Sequence, residues 1–512
     1  MNTLRIIIGV TNGKDIQILP SFLDYLESQK TIDHLLTIIF CQNIRLKKLL
    51  DGMKDKRIKY IIADSELHFT AKKNCHLKNR KDLLSENILT FLANSDRGIS
   101  YEYFLLTRAI KKVLTNQDYA GHLPYVSYKF NLTYDILKKF NPHLGLAFTR
   151  DNGPSMYNYL FYGFKKMNLT LFFQHWLRVD GIVTINNSIF EIDEKTEKIF
   201  QKKNKNDLNQ KIKSINYIKK YIRSNRNVIE GYYGEIIDEE KKLFFQFIKS
   251  TLQLWRLKYI IQQLIKYLSD QRIALFDRID SLSIIIFNFR SWFYLKEFKS
   301  KFYNYDYNDR YIYYPLHAEP EVSTLVIGNK FLDQLALVKK LGQIAKRLDC
   351  KLFIKSHPYH YQVLPFKYIK ELLSLDNVYC IDHRINSLDL INNADLTVTN
   401  SGTSALEACY IGKKSITLSK TIFSGFPNSP VKMLKNLTFG SLKEILEQPC
   451  SENNIKNKGA NWIETAYDKS NFNLMANSWE SLNLAKKDKD FRESYFQFIF
   501  HALEPVISKN LN

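Results

Sequence analysis

Short apolar, β-branched runs alternate with longer amphipathic stretches along the first 190 or so residues. Residues 4–10 (LRIIIGV), 35–40 and 58–63 are almost wholly aliphatic, and the first closes on Thr-Asn-Gly, so each reads as a short buried strand ended by a turn. Between them, residues 18–29 carry apolar positions at helical spacing. Residues 144–149 and 169–173 read as later strands, and the alternation predicts an open α/β domain over residues 1–193.

From residue 194 to 308 the texture changes to Lys-rich and aromatic-rich segments, including 241–269 and 284–302, which predict a helical insert or connector. A second regular alternation begins at Tyr311. Strands are predicted at 311–316, 351–356, 378–382, 395–400 and 415–418, separated by helices at 331–348, 366–374, near Leu388 and at 403–411. Strand–helix–strand units of this length require parallel pairing with right-handed crossovers, so residues 309–450 predict a doubly wound, Rossmann-like sheet. Residues 451–512 turn polar and then end in a helical pattern at 490–503 with a broad aromatic face, expected to pack back across a cleft between the two α/β units.

A chain of 512 residues has room for two or three domains, and 45% hydrophobic with 25% charged residues fits a globular protein. The 74 basic and 52 acidic residues leave a formal charge of +22. That points to an anionic partner such as nucleic acid, phospholipid or an acidic polymer, or to a compositional bias without function. In particular, residues 289–307 (FRSWFYLKEFKSKFYNYDY) could touch a membrane surface or stack on bases, or could pack their aromatics on a neighbouring domain. Six cysteines without C-x-x-C spacing argue against a zinc site or a disulfide framework and fit a reducing cytosol. The first residues read as a buried strand instead of a signal peptide, and no window is apolar for long enough to span a bilayer. The expected location is cytoplasmic, with peripheral attachment to the inner face of the membrane as an extension.

Candidate chemistry gathers at strand ends. The run Asn400-Ser401-Gly402-Thr403-Ser404-Ala405-Leu406-Glu407 stands where a strand meets a helix. Ser401 or Thr403 can cap the helix, Gly402 admits a close ligand, and free N–H groups with the helix dipole make an anion site. Ligands of open parallel sheets lie beyond the carboxyl ends of the strands. At the same edge stands Lys355-Ser356-His357-Pro358, where His357 can donate to a phosphate or leaving group, Lys355 adds charge and Pro358 stiffens the turn. A third loop, 315–324, sets His317, Glu319 and Glu321 directly after a buried strand.

The runs YIYYPLHAEPEVST, KLFIKSHP and DLTVTNSGTSALEACYIGKKSIT resemble the C-terminal half of bacterial capsule polysaccharide biosynthesis proteins and β-Kdo transferases, over about residues 311–420. That resemblance implies a GT-B fold, with two Rossmann-like domains facing a cleft, and a CMP-activated 3-deoxy-ulosonic or sialic-acid-like donor. By the same analogy His357 and Pro358 would contact the cytidine monophosphate, Ser401, Thr403 and Ser404 its phosphate or the sugar carboxylate, and Glu319 would lie near the donor. An inverting transferase also needs a base on the N-terminal side, and Asp151, within Arg150-Asp151-Asn152-Gly153 after a predicted strand, is the first candidate. The same residues would also serve as an ordinary turn. His175 and Asp180, after the next strand, are secondary candidates; His175 stands where relatives carry a carboxylate, which weakens a direct transfer of roles. No Asp-x-Asp follows a strand in a donor loop, so no metal and no cofactor beyond the donor nucleotide sugar is expected.

The function expected from the sequence is therefore transfer of a sugar onto a surface polysaccharide or lipid-linked glycan. Alternatives on the same fold are a CDP-glycerol-type polyol-phosphate transferase and a UDP-sugar-using GT-B enzyme or 2-epimerase. A basic, non-enzymatic nucleic-acid- or membrane-binding protein is the alternative from another class.

Overall fold

A computed structural model of the chain describes residues 2–75, 83–96, 121–148, 156–203, 212–223, 301–317, 326–356, 366–474 and 488–511, save single positions within these spans, together with isolated positions between 245 and 293. Six strands belong to the N-terminal part: β1 (Thr3–Val10), β2 (His34–Cys41), β3 (Ile58–Ala63), β4 (Leu144–Ala147), β5 (Thr170–Trp176) and β6 (Ile182–Asn186). Six belong to the second: β7 (Tyr311–Pro315), β8 (Lys351–Lys355), β9 (Val378–Ile381), β10 (Leu396–Thr399), β11 (Ser415–Thr417) and β12 (Lys432–Met433). A last strand, β13 (Phe472–Asn473), returns to the first sheet.

The first sheet runs β13-β6-β5-β4-β1-β2-β3. Its core pairs, β1 with β2 and β4, β2 with β3 and β4 with β5, are all parallel. Parallel strands need helices on both faces, which explains why β1 is apolar on both sides, with Ile6, Ile7 and Ile8 all fully buried. On one face Leu19, Phe22 and Leu23 of the helix Gly13–Glu27 pack with Tyr495, Phe496, Ile499 and Leu503 of the terminal helix Lys489–Leu511. On the other lie Leu137 of the helix Leu123–Phe140 and Leu160 and Phe164 of the helix Met156–Lys166. The terminal aromatic pattern thus covers the first sheet, and the hydroxyl of Tyr495 donates to Gln174 Oε1 on β5 at 2.5 Å.

The strand expected at 169–173 runs on to Trp176 and turns back through Arg178 (φ 62°) and Gly181 (φ 70°) into β6, which pairs antiparallel with it. Little in the residues marks this reversal, because Arg is a poor marker of a left-handed position.

The second sheet runs β12-β11-β10-β7-β8-β9 and is parallel throughout. Counted from its own first strand, its order is 3-2-1-4-5-6, the Rossmann order. The direction of winding reverses between β7 and β10, and in the first sheet between β1 and β4. Helix starts shift slightly from the expected ones. The helix expected from 331 begins at Gln334, because the Asp333 carboxylate accepts from Ala336 N at 3.0 Å and caps it there, leaving Asn329–Phe331 as a single 3-10 turn.

The carboxyl edges of the two sheets are turned toward one another. Val326 and Ile327, which follow β7, pack with Met156 and Tyr157, which follow β4. Leu177 and Val179, which follow β5, share a core with Ala405, Leu406, Cys409 and Tyr410 of the helix Ser404–Ile411, which follows β10. Trp462, fully buried, donates from its indole nitrogen to Leu177 O at 2.9 Å, and Lys420 pairs with Glu191 at 2.7 Å. Two Rossmann-like domains joined in this way form a GT-B-type fold.

Trp462 lies on the helix Glu452–Ala466, in a stretch that reads as polar. Its buried face is built from Gly459, Ala460, Asn461, Thr465 and Ala466 beside Trp462 and Ile463, too small and mixed to give an apolar stripe. A Cβ at Gly459 would lie 3.0 Å from Tyr410 Cδ1 and 3.2 Å from Cys409 O, so the glycine lets this helix lie against the Ser404–Ile411 helix. Within the 289–307 segment, Trp292 and Phe302 pack against the second domain's core and Tyr303 lies tilted against Phe353 and Tyr379. These residues follow the packing alternative. The longer segments 241–269 and 284–302 otherwise lie largely outside the described residues.

Candidate functional site

The second sheet's switch point is built from the last residues of β7 and β10. Crossovers leaving these neighbours go to opposite sides of the sheet, so a crevice opens above their carboxyl ends. His317 leaves β7, and Thr399-Asn400-Ser401-Gly402 leave β10.

His317 is held twice. Its backbone N–H donates to Gln334 Oε1 at 2.8 Å and its carbonyl accepts from Gln334 Nε2 at 3.1 Å, so one buried amide clamps both backbone groups. Its ring Nε2 lies 3.0 Å from Thr399 Oγ1 and accepts from the Ser401 N–H at 3.4 Å. Gly402 N–H donates to Thr399 Oγ1 at 3.0 Å. A Cβ on Gly402 would fall 2.6 Å from Thr399 Oγ1 and 3.0 Å from His317 Cε1, so only glycine fits this turn unshifted.

Asn400, fully buried, is the hub of a second set of bonds. Its Nδ2 donates to Gly328 O at 3.0 Å and Phe331 O at 3.3 Å, and its Oδ1 accepts from Ser419 Oγ at 2.7 Å. Behind Ser419, buried hydroxyls continue through Ser424 to Thr417 (2.7 Å) and Thr421 (2.9 Å). The turn after β10 is therefore tied on one side to the loop after β11, and on the other to the 326–331 segment that reaches the first domain.

Beyond Gly402 the helix Ser404–Ile411 begins. Thr403 is its N-cap residue but makes no side-chain cap; its hydroxyl donates instead to Glu407 Oε1 at 3.2 Å. The capping expected of Thr403 is thus replaced by a bond one turn on, because Thr403 itself has helical φ and ψ (−67°, −19°) and its side chain points along the helix. First-turn N–H groups of a helix point out of its N-terminus, here the end that follows the β10 turn, where helix dipole and donors favour an anion.

Lys355 ends β8, beside β7. It is 4% exposed and its Nζ donates to Ile385 O at 2.6 Å. Burial pushes its ammonium down to about 8, against the opposing pull of the Glu407, Asp382 and Asp389 carboxylates. A buried amine whose proton is loosened by burial, at the end of a strand, is a functional-site candidate.

The structure thus brings His317, Lys355, Ser401, Gly402, Thr403, Ser404 and Glu407 to one edge of one sheet. Glu319, His357 and Pro358 lie outside the described residues, as do Arg150, Asp151, Asn152 and Asp180. His175 is fully buried on β5, opposite Thr184 and edge-on to Phe173 (6.3 Å between ring centroids). Among the described residues no group of three His, Cys, Asp or Glu is placed to hold a metal ion, and no helix is long and apolar enough to cross a membrane. All six cysteines are free thiols.

Three groups were missed in the sequence. Thr399 was read as a strand residue and Asn400, which opens the run 400–407, was given no role, although polar side chains closing an apolar strand are themselves a signal. Gln334 was lost in an amphipathic helix. The third is a buried cluster in the first domain, where Lys129, fully buried, meets Asp64 at 3.0 Å and Asp96 at 3.1 Å. Tyr159 (2.7 Å) and Tyr125 (3.2 Å) donate to Asp96, and His68 Nδ1 meets the Tyr125 hydroxyl. Burial and the nearby Lys129 charge hold His68 down at about 3, so it stays neutral. A lysine between Val126 and Phe130 on the buried face of a helix was the available clue.

No family model matches the sequence, and no curated protein matches it. Solved structures similar to the chain include a UDP-N-acetylglucosamine 2-epimerase from Rickettsia bellii, at 12% identity and a TM-score of 0.26 over 98% of each chain. Others are the UDP-GlcNAc 2-epimerase from Neisseria meningitidis bound to UDP-GlcNAc, at 11% identity and a TM-score of 0.23 over 91% of this chain and 97% of that one, and the glycosyltransferase VinC in complex with DTDP, at 8% identity and a TM-score of 0.21 over 91% and 96%. The fold assignment rests on the strand order and the facing edges, not on these likenesses. The second domain is Rossmann-like. The crevice at its switch point lies at His317 and Ser401.

Proposed function

We propose that this chain is a nucleotide-sugar-dependent enzyme of the GT-B type, and specifically a glycosyltransferase that binds its donor at the β7/β10 switch point. The observation that carries the reading is the placement of the Ser404–Ile411 helix start, whose side-chain cap is absent, beside His317 at that switch point. A nucleotide phosphate is the group such a site favours: backbone donors and a helix dipole supply the charge stabilisation that a departing nucleotide needs. In this reading Ser401, Gly402, Thr403 and Ser404 cradle the phosphate and Glu407 orients the Thr403 hydroxyl. Lys355 supplies positive charge from β8, and His357 with Pro358 follows it in the chain.

Asp151 is the proposed base, since it follows β4 in the chain and β4 flanks the first sheet's own switch point. The donor class suggested by the resemblance is a CMP-linked acidic sugar, and a UDP-linked sugar, used by a transferase or a 2-epimerase, is the second reading. The acceptor in the primary reading is a surface polysaccharide or lipid-linked glycan, and an anionic membrane surface is a candidate partner for the basic chain.

A thermal-shift screen against CMP, CDP, UDP and their sugar conjugates tests this reading. A donor that binds only the folded chain stabilises it by about 2.7 kcal/mol at a hundred times its Kd, and release of free nucleotide from the same conjugate reports turnover. Nucleotide release that persists in chelator and is abolished in Asp151→Asn supports the transferase reading. Stabilisation by none of the nucleotides overturns it.

A further inference from the structure

Nothing above assigns a role to Thr399, the last residue of β10. It is fully buried, and its hydroxyl stands between two groups of the crevice. Gly402 N–H donates to Thr399 Oγ1 at 3.0 Å. An oxygen that accepts this bond keeps its own hydrogen for another partner, and His317 Nε2 is 3.0 Å away. The same ring nitrogen faces the Ser401 N–H at 3.4 Å, and a backbone N–H can only donate. Nε2 is therefore an acceptor toward two donors, and an imidazole nitrogen that accepts carries no proton. In the neutral ring the single N–H then lies on Nδ1.

We infer that Thr399 is a positioning residue that fixes His317 as the Nδ1-protonated tautomer, which excludes Nε2 as a proton acceptor in the reaction and leaves the ring as a hydrogen-bond donor. The arrangement is doubly determined. The Gln334 amide fixes the backbone of His317 through two bonds, so the ring enters the crevice from a fixed point. The glycine at 402 is required because a Cβ there would fall on Thr399 Oγ1 and His317 Cε1 together. One hydroxyl thus links the shape of the phosphate turn to the protonation pattern of the histidine across the switch point, the kind of outer contact that sets which ring nitrogen acts. The inference rests on the proposed nucleotide site only for its consequence in catalysis; the tautomer itself is a property of the free protein.

The test is nitrogen NMR on the full chain labelled with 15N-histidine, unliganded, with His317 assigned by its loss in His317→Gln. The wild type is expected to show Nε2 as the unprotonated, pyridine-type nitrogen and Nδ1 as the protonated one. Thr399→Val removes the nearer of the two donors at nearly constant shape and leaves only the weak 3.4 Å contact from Ser401 N–H, so it is expected to give a mixed tautomer signature, with nucleotide affinity falling about tenfold. Thr399→Ser restores both. A protonated Nε2 in the wild type, or a Thr399→Val protein with an unchanged wild-type signature, overturns the inference. A merely structural threonine would lower stability in Thr399→Val without moving the ring nitrogens. If the tautomer is as stated and the wild type binds no nucleotide, the functional reading fails while the assignment of Thr399 stands.

Discussion

Replacing Lys355 by methionine separates what this residue costs the fold from what it gives the site. The ammonium is held at about 8 against an ordinary 10.5, chiefly by burial. At about 1.4 kcal/mol per pH unit, keeping it charged at neutral pH costs on the order of 3 kcal/mol. Methionine fills the same space without that cost but abandons the 2.6 Å bond to Ile385 O, which returns about 1–2 kcal/mol of the gain. Lys355→Met is therefore expected to be more stable than the wild type at pH 7 by about 1–2 kcal/mol.

Because the folded chain releases this proton near pH 8 and the unfolded chain only near 10.5, the unfolded state binds more protons in between. The lysine's contribution to stability thus rises with pH across that window, and the advantage of methionine shrinks as pH approaches 10. Urea unfolding of both proteins at pH 7 and pH 10, paired with nucleotide titration at pH 7, reads the two effects. The affinity is expected to fall at least tenfold in the variant, as for loss of a charge-assisted contact. A variant less stable than wild type at both pH values, or one that binds nucleotide as the wild type does, would refute the reasoning.

Further predictions concern other parts of the molecule. Gly402→Ala places a Cβ 2.6 Å from Thr399 Oγ1, so the turn must open; calorimetric nucleotide affinity is expected to drop more than tenfold and Tm to fall with it. His68, held neutral at about 3 against an ordinary 6.5, makes stability fall as pH drops from 6.5 toward 3, since only the unfolded chain takes up that proton. His68→Gln is expected to flatten the acid limb of a urea-midpoint profile, and an unchanged limb counts against the assignment. Lys129→Met leaves the Asp64 and Asp96 carboxylates buried without their cation and is expected to cost about 3–5 kcal/mol in chemical denaturation. Trp462→Phe strands Leu177 O between the domains and is expected to cost about 1–3 kcal/mol, read as a lower urea midpoint or a split transition.

The parts of the fold legible in the sequence were those where burial writes a simple pattern. Strands covered on both faces carry short apolar runs, IIIGV in β1 and LFI in β8, and their regular spacing marks the winding of both domains. What stayed hidden obeys geometry instead of composition. The reversal at Arg178 into β6 depends on a left-handed residue with no sequence mark, and the Glu452–Ala466 helix buries small residues that carry no stripe. In the site, strand ends and the helix start at Ser404 were visible because turn and cap residues announce them. The roles of Thr399, Asn400 and Gln334 were not, since their work is to hold other residues across 17 to 82 positions of chain, a relation that exists only after folding.

The central claim is that a nucleotide's phosphate binds where β10 meets its helix, beside His317. Isothermal titration of the wild-type chain with CMP and UDP, set against cytidine and uridine, tests it most directly, with Gly402→Val as the variant that fills the turn. The account predicts saturable binding of at least one nucleotide, none of its nucleoside, and loss of that binding in Gly402→Val while the variant still unfolds cooperatively. A nucleoside bound as tightly as its nucleotide, or a nucleotide bound unchanged by Gly402→Val, would contradict it.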